Sequence, residues 1–379
     1  MPFWAEITVS VLLIIAGLFG LVGSFGLIKL PDAMTRLHAP TKATTLGVGG
    51  VLIASMLYFF LAEGKLTFHE LMITLFLFLT APITANFISK AYLLTNKGGV
   101  RSEFTVYKVA PQRYYLVSAG AYERHDHDYL KKALPRDGSV SFERLTTAMG
   151  VLVLAGPRSR DVLAKLTDTD LSNDAFPWLT GKKMSIGLAQ VDALRVNFIG
   201  ELGWEIHHPI EMQNYIFDRL MEAGAEFEIK PFGIRAMTSM ALEKSYKLIP
   251  RELSVEYSAF ESGLDRFVSL KKPTFHGRDA LLAWQERGGA NTLVTMEVHN
   301  VTDADARGSE PIYHGDDVVG RVTSGGYGWR VGKSLALAMV RPDLAQIGAE
   351  FEIAILGVRH KATIIADSPF DPENNALKS

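Results

Sequence analysis

The sequence predicts two parts of different fold class: an all-α transmembrane bundle of three helices over residues 1–95, then an α+β portion ending in a strand-rich tail. Three observations predict it. Uncharged apolar runs cover Ile7–Ile28, Thr44–Ala62 and Leu71–Ser89, and a helix needs about 20 such residues to cross a hydrocarbon layer. No comparable run follows Asn96. The later chain alternates short strands with amphipathic helices and closes on evenly spaced strands between glycine turns, as in a small barrel or sandwich.

Whole-chain averages conceal the division, because a net charge of -2 and 48% hydrophobic content describe an ordinary soluble protein. Between Met1 and Thr95 the formal charges are Glu6, Lys29, Asp32, Arg36, Lys42, Glu63, Lys65, Glu70 and Lys90, all outside the apolar runs. The remainder is nearly balanced in charge, so no basic field points to nucleic acid. With 0 cysteines, disulfide frameworks, thiol catalysis and thiolate metal sites are excluded.

The first run begins on Phe3, Trp4 and Glu6 and is too long for a cleaved signal core, so it reads as a retained span. Lys29, Arg36 and Lys42 follow it, and Lys90, Lys97 and Arg101 follow the third run. Basic residues favour the cytoplasmic side. This places the N-terminus outside and everything after the third span in the cytoplasm, with the chain in the inner cell membrane and lipid as a partner. Ala16, Gly20 and Ser24 form a small-residue stripe that lets another helix approach closely.

Pro31 ends the first helix, and Asp32, Arg36, His38 and Lys42 then gather polar groups at the membrane boundary. The string Leu30-Pro31-Asp32, Thr35-Arg36-Leu37-His38-Ala39 and Thr41-Lys42-Ala43-Thr44-Thr45-Leu46-Gly47 resembles the small MnhG/PhaG-type component of multisubunit monovalent cation/proton (Na+/H+) antiporters. Ala81-Pro82-Ile83-Thr84-Ala85-Asn86 is similar to that family's second signature. The resemblance covers residues 1–95 and implies an accessory role beside other antiporter subunits.

From Gly98 onward, Phe104–Val109 and Tyr114–Val117 alternate as strands, and Tyr129–Leu134 is helical. Val151–Ala155 is an apolar strand leading through Gly156-Pro157-Arg158-Ser159 into a helix that ends near Leu166. Val191–Phe198 and Glu205–His208 are strands about a turn at Gly200–Gly203; Met212–Ala223 and Gly233–Tyr246 are helices. Beyond a linker near Arg287–Asn291, strands fall at Leu293–Val298, Val318–Val322, Ala336–Val340, Glu350–Ile355 and Lys361–Ile365.

Gly200-Glu201-Leu202-Gly203-Trp204-Glu205 sets two carboxylates about an aromatic ring on a tight turn, which suits a flat heterocycle whose ring nitrogens donate hydrogen bonds. His125-Asp126-His127-Asp128 lacks a third ligand cluster and reads as a solvated loop, so no metal site is expected. His207-His208 reads as a strand end, and Gly325-Gly326-Tyr327-Gly328, without a phosphate-loop lysine, as a strand-end turn.

Further strings add context: Gly98-Gly99-Val100-Arg101-Ser102-Glu103, Leu242-Glu243-Lys244-Ser245-Tyr246, Glu261-Ser262-Gly263-Leu264, Phe275-His276-Gly277-Arg278-Asp279, Val319-Gly320-Arg321 through Gly328, and Phe370-Asp371-Pro372-Glu373-Asn374. Together they resemble the folate-binding aminomethyltransferase fold of the glycine cleavage T-protein (GcvT), in the variant that forms the C-terminal half of dimethylglycine and sarcosine dehydrogenases. The resemblance implies a folate-binding domain over residues 97–286, truncated at its N-terminus, and a C-terminal β-barrel over residues 291–379.

It further implies tetrahydrofolate as cofactor, accepting a one-carbon unit at a ring nitrogen to give 5,10-methylenetetrahydrofolate. Glu103, where the family usually has aspartate, takes the catalytic position, since the chemistry needs an acid that orients and deprotonates the nitrogen nucleophile. Glu205 becomes the second pteridine acid, with Glu201, Trp204, Arg235 and Tyr246 as further cofactor contacts. A lipoyl carrier protein is left open as a partner. The sequence departs from the family in three ways: Ala241 stands where an arginine is usual, Met237 stands near the position of the pteridine arginine, and the part of the folate fold before the glycine-glycine strand is missing. A flavin-binding fingerprint is absent, so amine oxidation is not expected.

Three readings stand at this point. The chain is a membrane-tethered folate-dependent transferase, an antiporter accessory subunit with an inactive cytoplasmic appendage, or a chimeric or truncated reading frame joined near Thr95–Gly98.

Overall fold

A computed structural model describes residues 3–29, 51, 54–55, 58–59 and 88–379. The chain divides into two units, Met1–Asn86 and Phe87–Ser379. In the first, α1 (Phe3–Lys29) gives the first predicted run its helix. Ala16 of the small-residue stripe is buried, whereas Ile14, Leu18 and Leu21 are exposed. The third run is outside the described residues up to its last two, as are most of the second and both signature strings. Among the described residues no helix is long and apolar enough to cross a membrane, so the three-helix bundle remains an expectation.

The second unit starts earlier than expected. Ile88 and Ser89, placed in the third span, open β1 (Ile88–Leu94), which pairs antiparallel with β2 (Val100–Ala110) from Ile88↔Tyr107 to Leu94↔Val100. The ladder overrides the local apolar character, and the Lys90 ammonium lies 3.7 Å from Glu103. β3 (Arg113–Val117) completes this three-stranded sheet. Gly99 is required at the turn, because a Cβ there would fall on the Val255 carbonyl.

A second sheet has the order β4-β7-β6-β5, with β4 Met149–Ala155, β5 Gly181–Ile186, β6 Ala189–Leu194 and β7 Gly203–Pro209. Leu163, Phe176, Ile186, Trp204, Ile206 and Ile216 form its core, the last on the helix Gln213–Gly224. β4 is an edge, and Val151 and Val153 on it are exposed.

The tail is a closed six-stranded barrel, which decides between barrel and sandwich. Its order is β10-β11-β8-β13-β12-β9, with β8 Thr292–Val298, β9 Pro311–His314, β10 Asp317–Gly328, β11 Lys333–Val340, β12 Glu350–Ile355 and β13 Val358–Ile365. Alternating side chains such as Met296, Ile312, Ala336, Ala338 and Ile353 fill it.

Two local expectations are corrected, whereas His207 and His208 stand next to the end of β7 at Pro209, as expected. His125-Asp126-His127-Asp128 is helical, within Glu123–Ala133, and Asp126 is buried rather than solvated. His207 and His208 are both fully buried inside β7; His207 shares a hydrogen bond with the Tyr115 hydroxyl at 3.2 Å, and His208 Nε2 meets Gln213 Oε1 at 2.8 Å. Gly325–Gly328 continues β10 against β11 instead of turning. Among the described residues no group of acidic and histidine side chains could hold a metal ion.

Several motifs prove to be fastenings. Lys244 Nζ donates to the carbonyls of Phe370 at 3.1 Å and Asp371 at 2.5 Å, and Ser245 Oγ accepts from Ser368 N at 2.9 Å. Burial pushes the Lys244 ammonium below the usual lysine range. Glu261 accepts from the amides of Ser258, Ala290 and Asn291, tying the linker before the barrel to the preceding segment.

Candidate functional site

Glu103 lies on β2 with its side chain 17% exposed, 3.7 Å from the Lys90 ammonium and directly across the ladder from Tyr92. The Tyr92 ring lies 5.7 Å from Phe267, and burial, reinforced by Glu103, pushes the Tyr92 hydroxyl up to about 12. The exposed Arg266 sits over the Phe267 ring at 4.7 Å. Its guanidinium acts electrostatically on Tyr92, Tyr246 and Lys247 alike, so these groups share one neighbourhood.

Tyr246 contacts Phe198 at 5.3 Å between ring centroids, and burial pushes its hydroxyl up to about 12. Phe198 in turn lines a cavity of about 580 Å³ together with Glu205, Arg158, Phe217, Phe232 and Met237. Glu205 lies on β7, where alternation turns it away from the core that holds Trp204. Its Oε2 is 3.3 Å from His207 Nε2. The structure thus joins Glu205 and Tyr246 through Phe198, and sets Glu103 beside Lys90 and Tyr92, the latter packed on Phe267.

Other expected contacts do not converge. Trp204 is fully buried and packs on Phe176, so it has no face for a ligand. Glu201 is held by Arg330 Nη1 at 2.7 Å, and so does not form a pair with Glu205 about an aromatic ring. Arg235 is exposed near the start of the helix Ile234–Leu242 and is not among the cavity's lining residues.

Sequence reasoning missed Tyr92, Lys247, Arg266 and Phe267. Tyr92 was hidden because its strand abuts an apolar run; the others sit in irregular segments with no periodic signal. Burial lowers the Lys247 ammonium from the ordinary lysine range despite Asp367, Glu252 and Asp265 nearby.

Residues 77–272 match the GCVT N-terminal domain family, and residues 291–371 match the glycine cleavage T-protein C-terminal barrel domain. The chain belongs to the glycine cleavage T-protein family. It is 30% identical over 288 residues to an aminomethyltransferase of Thermoanaerobacter sp. (strain X514), covering 75% of this chain and 76% of that one. It is also 36% identical over 283 residues to the mitochondrial dimethylglycine dehydrogenase of Rattus norvegicus, covering 74% of this chain and 33% of the dehydrogenase. The mitochondrial sarcosine dehydrogenase of Mus musculus is 31% identical over 310 residues, with 76% and 33% covered. The chain therefore spans about 33% of the length of these dehydrogenases.

The crystal structure of glycine cleavage system aminomethyltransferase T from Bartonella henselae shares the fold, with a TM-score of 0.66 at 20% identity over 77% of this chain and 78% of that one. Residues 12–93 match a Na+/H+ antiporter subunit family, PhaG_MnhG_YufB. The T-protein and antiporter matches overlap over residues 77–93, a stretch that takes in the start of β1 and most of its length.

Proposed function

We propose that this chain is a tetrahydrofolate-binding aminomethyltransferase-like protein carried on an MnhG/PhaG-like antiporter membrane segment. The supporting observation is the pair of half-buried carboxylates near aromatic rings, Glu103 across the ladder from Tyr92, and Glu205 in the cavity that Phe198, packed on Tyr246, lines. A carboxylate accepts hydrogen bonds from pteridine nitrogens while flat rings stack on the heterocycle. Glu103 takes the proton from the ring nitrogen that receives the one-carbon unit, and Glu205 orients the pteridine. Tyr246 supplies a ring face, and Lys90 at 3.7 Å and Tyr92 across the ladder hold Glu103 in place. Glu103 reaches one methylene further than the family's aspartate.

Titrating the full chain with tetrahydrofolate tests this reading. Saturable binding is expected, weakened about tenfold or more by Glu103→Gln or Glu205→Gln, the worth of one hydrogen bond to a charged group. Wild-type binding that neither substitution alters would remove both residues from the site. No binding at all would favour an antiporter-type accessory subunit with an inactive appendage.

The three apolar runs and the antiporter-subunit match support three membrane spans, with the N-terminus outside, the T-protein part cytoplasmic and other antiporter subunits as partners. The exposed Ile14, Leu18 and Leu21 beside buried Ala16 on α1 fit a helix with a lipid-facing side. The protein is expected to stay in the membrane fraction through alkaline carbonate washing. Release into the supernatant without detergent would end the membrane reading.

A further inference from the structure

A cleft of about 420 Å³ beside the first turn of the helix Glu123–Ala133 is lined by the polar residues Arg101, Tyr122, His125 and Glu256, against an apolar wall that includes Pro250 and Val255. Arg101 lies over the Tyr129 ring at 5.0 Å, and among the described residues no carboxylate is within ion-pair distance of it. His125 Nδ1 meets Asp126 Oδ1 at 3.1 Å. Asp126 is 3% exposed, and its second oxygen, Oδ2, has no hydrogen-bond partner among the described residues. Glu256 is already neutralised by Arg321, and Glu123 at the helix start by Arg144 at 3.7 Å.

We propose that this cleft binds the carboxylate of a small amino-acid-like ligand, with Arg101 and His125 as its two anchors. A free guanidinium presents a planar fork that matches a carboxylate. The buried Asp126 fixes the imidazole through one ring nitrogen and compensates the charge that an imidazolium would bring, leaving Nε2 to donate to the ligand. The Pro250 and Val255 wall suits a short hydrocarbon body, and the volume falls within the range of small-ligand sites. Arg101 is the bulged residue of β2, opposite no residue of β1, and stands two residues before Glu103, roughly 7 Å along the strand, so a ligand anchored here reaches toward Glu103. That last placement rests on the folate reading; the carboxylate site itself does not.

The test follows the His125 imidazole resonance by NMR in the full chain during titration with sodium acetate or N-methylglycine, with sodium chloride at equal ionic strength as reference. A saturable shift with carboxylates and none with chloride is expected, and Arg101→Ala should weaken it by about tenfold or more, while Arg101→Lys retains part of it. Tetrahydrofolate and 6-methyltetrahydropterin, which has no glutamyl carboxylate, identify the source. A response to N-methylglycine assigns a free amino acid; a response to tetrahydrofolate alone, not to the pterin, assigns the glutamyl end of folate. Glu103→Gln should leave the acetate response intact, so failure of the folate reading and failure of this one are separable. An equal response to chloride, or unaltered carboxylate affinity in Arg101→Ala, overturns the proposal.

Discussion

Replacing Arg330 by alanine is expected to destabilise the T-protein part of the chain by about 3–5 kcal/mol, the cost of leaving a buried charge without its partner. Arg330 Nε donates to Glu243, its own amide donates to Glu243 Oε1 at 2.6 Å, Nη1 reaches Glu201 at 2.7 Å, and Nη2 reaches the Met240 carbonyl at 2.8 Å. The Glu243 side chain has no exposure, and the Arg330 guanidinium lies 3.7 Å from the centre of the Phe370 ring. Truncation leaves the buried Glu243 carboxylate with backbone amides alone and no cation, and removes the partner of Glu201 on the Gly200–Gly203 turn that leads to Glu205. Arg330→Lys should recover little, because one ammonium cannot replace a planar fork serving several acceptors. Chemical denaturation checks this, and a loss below about 1 kcal/mol, the level of an exposed pair, would refute the network's importance.

The second large effect is at Trp204. Truncation to alanine should cost about 3–5 kcal/mol through lost burial and the cavity left behind. The ring is fully buried, 6.1 Å from Phe176, with Arg160 and Arg195 each 5.9 Å from its centroid. Trp204→Phe is expected to cost less than half as much, since it keeps most of the apolar contact and removes the indole N–H, which has no hydrogen-bond partner among the described residues. Tetrahydrofolate affinity should be unchanged in Trp204→Phe. A marked loss of affinity with stability preserved would return this residue to the ligand site.

The strand-rich tail was legible because side chains alternate along most of its strands, and its strongest members fall where periodicity puts them. Closure of the barrel was not legible: β9, Pro311–His314, is four residues long, yet it pairs with both β10 and β12. β5 escaped notice because Lys182 and Lys183 interrupt its alternation. β1 was absorbed into an apolar run whose end carries no turn signal. At the candidate site, Glu103 and Glu205 stand out from their motifs, whereas the same string does not reveal that Trp204 is buried and that Glu201 is held by Arg330.

Run length, alternation and short motifs are local properties, and they were enough to establish the contrast between an apolar opening and an alternating remainder, the family, and the two candidate acids. Which polar groups are free was settled by the folding of distant segments against one another. Glu243 and Glu201 meet Arg330 across 87 and 129 residues, and Trp204 turns inward while Glu205 turns toward a cavity. Whether a carboxylate is a ligand-binding group or a fastening depends on the cation that reaches it, and that cation is brought by the fold from far along the chain.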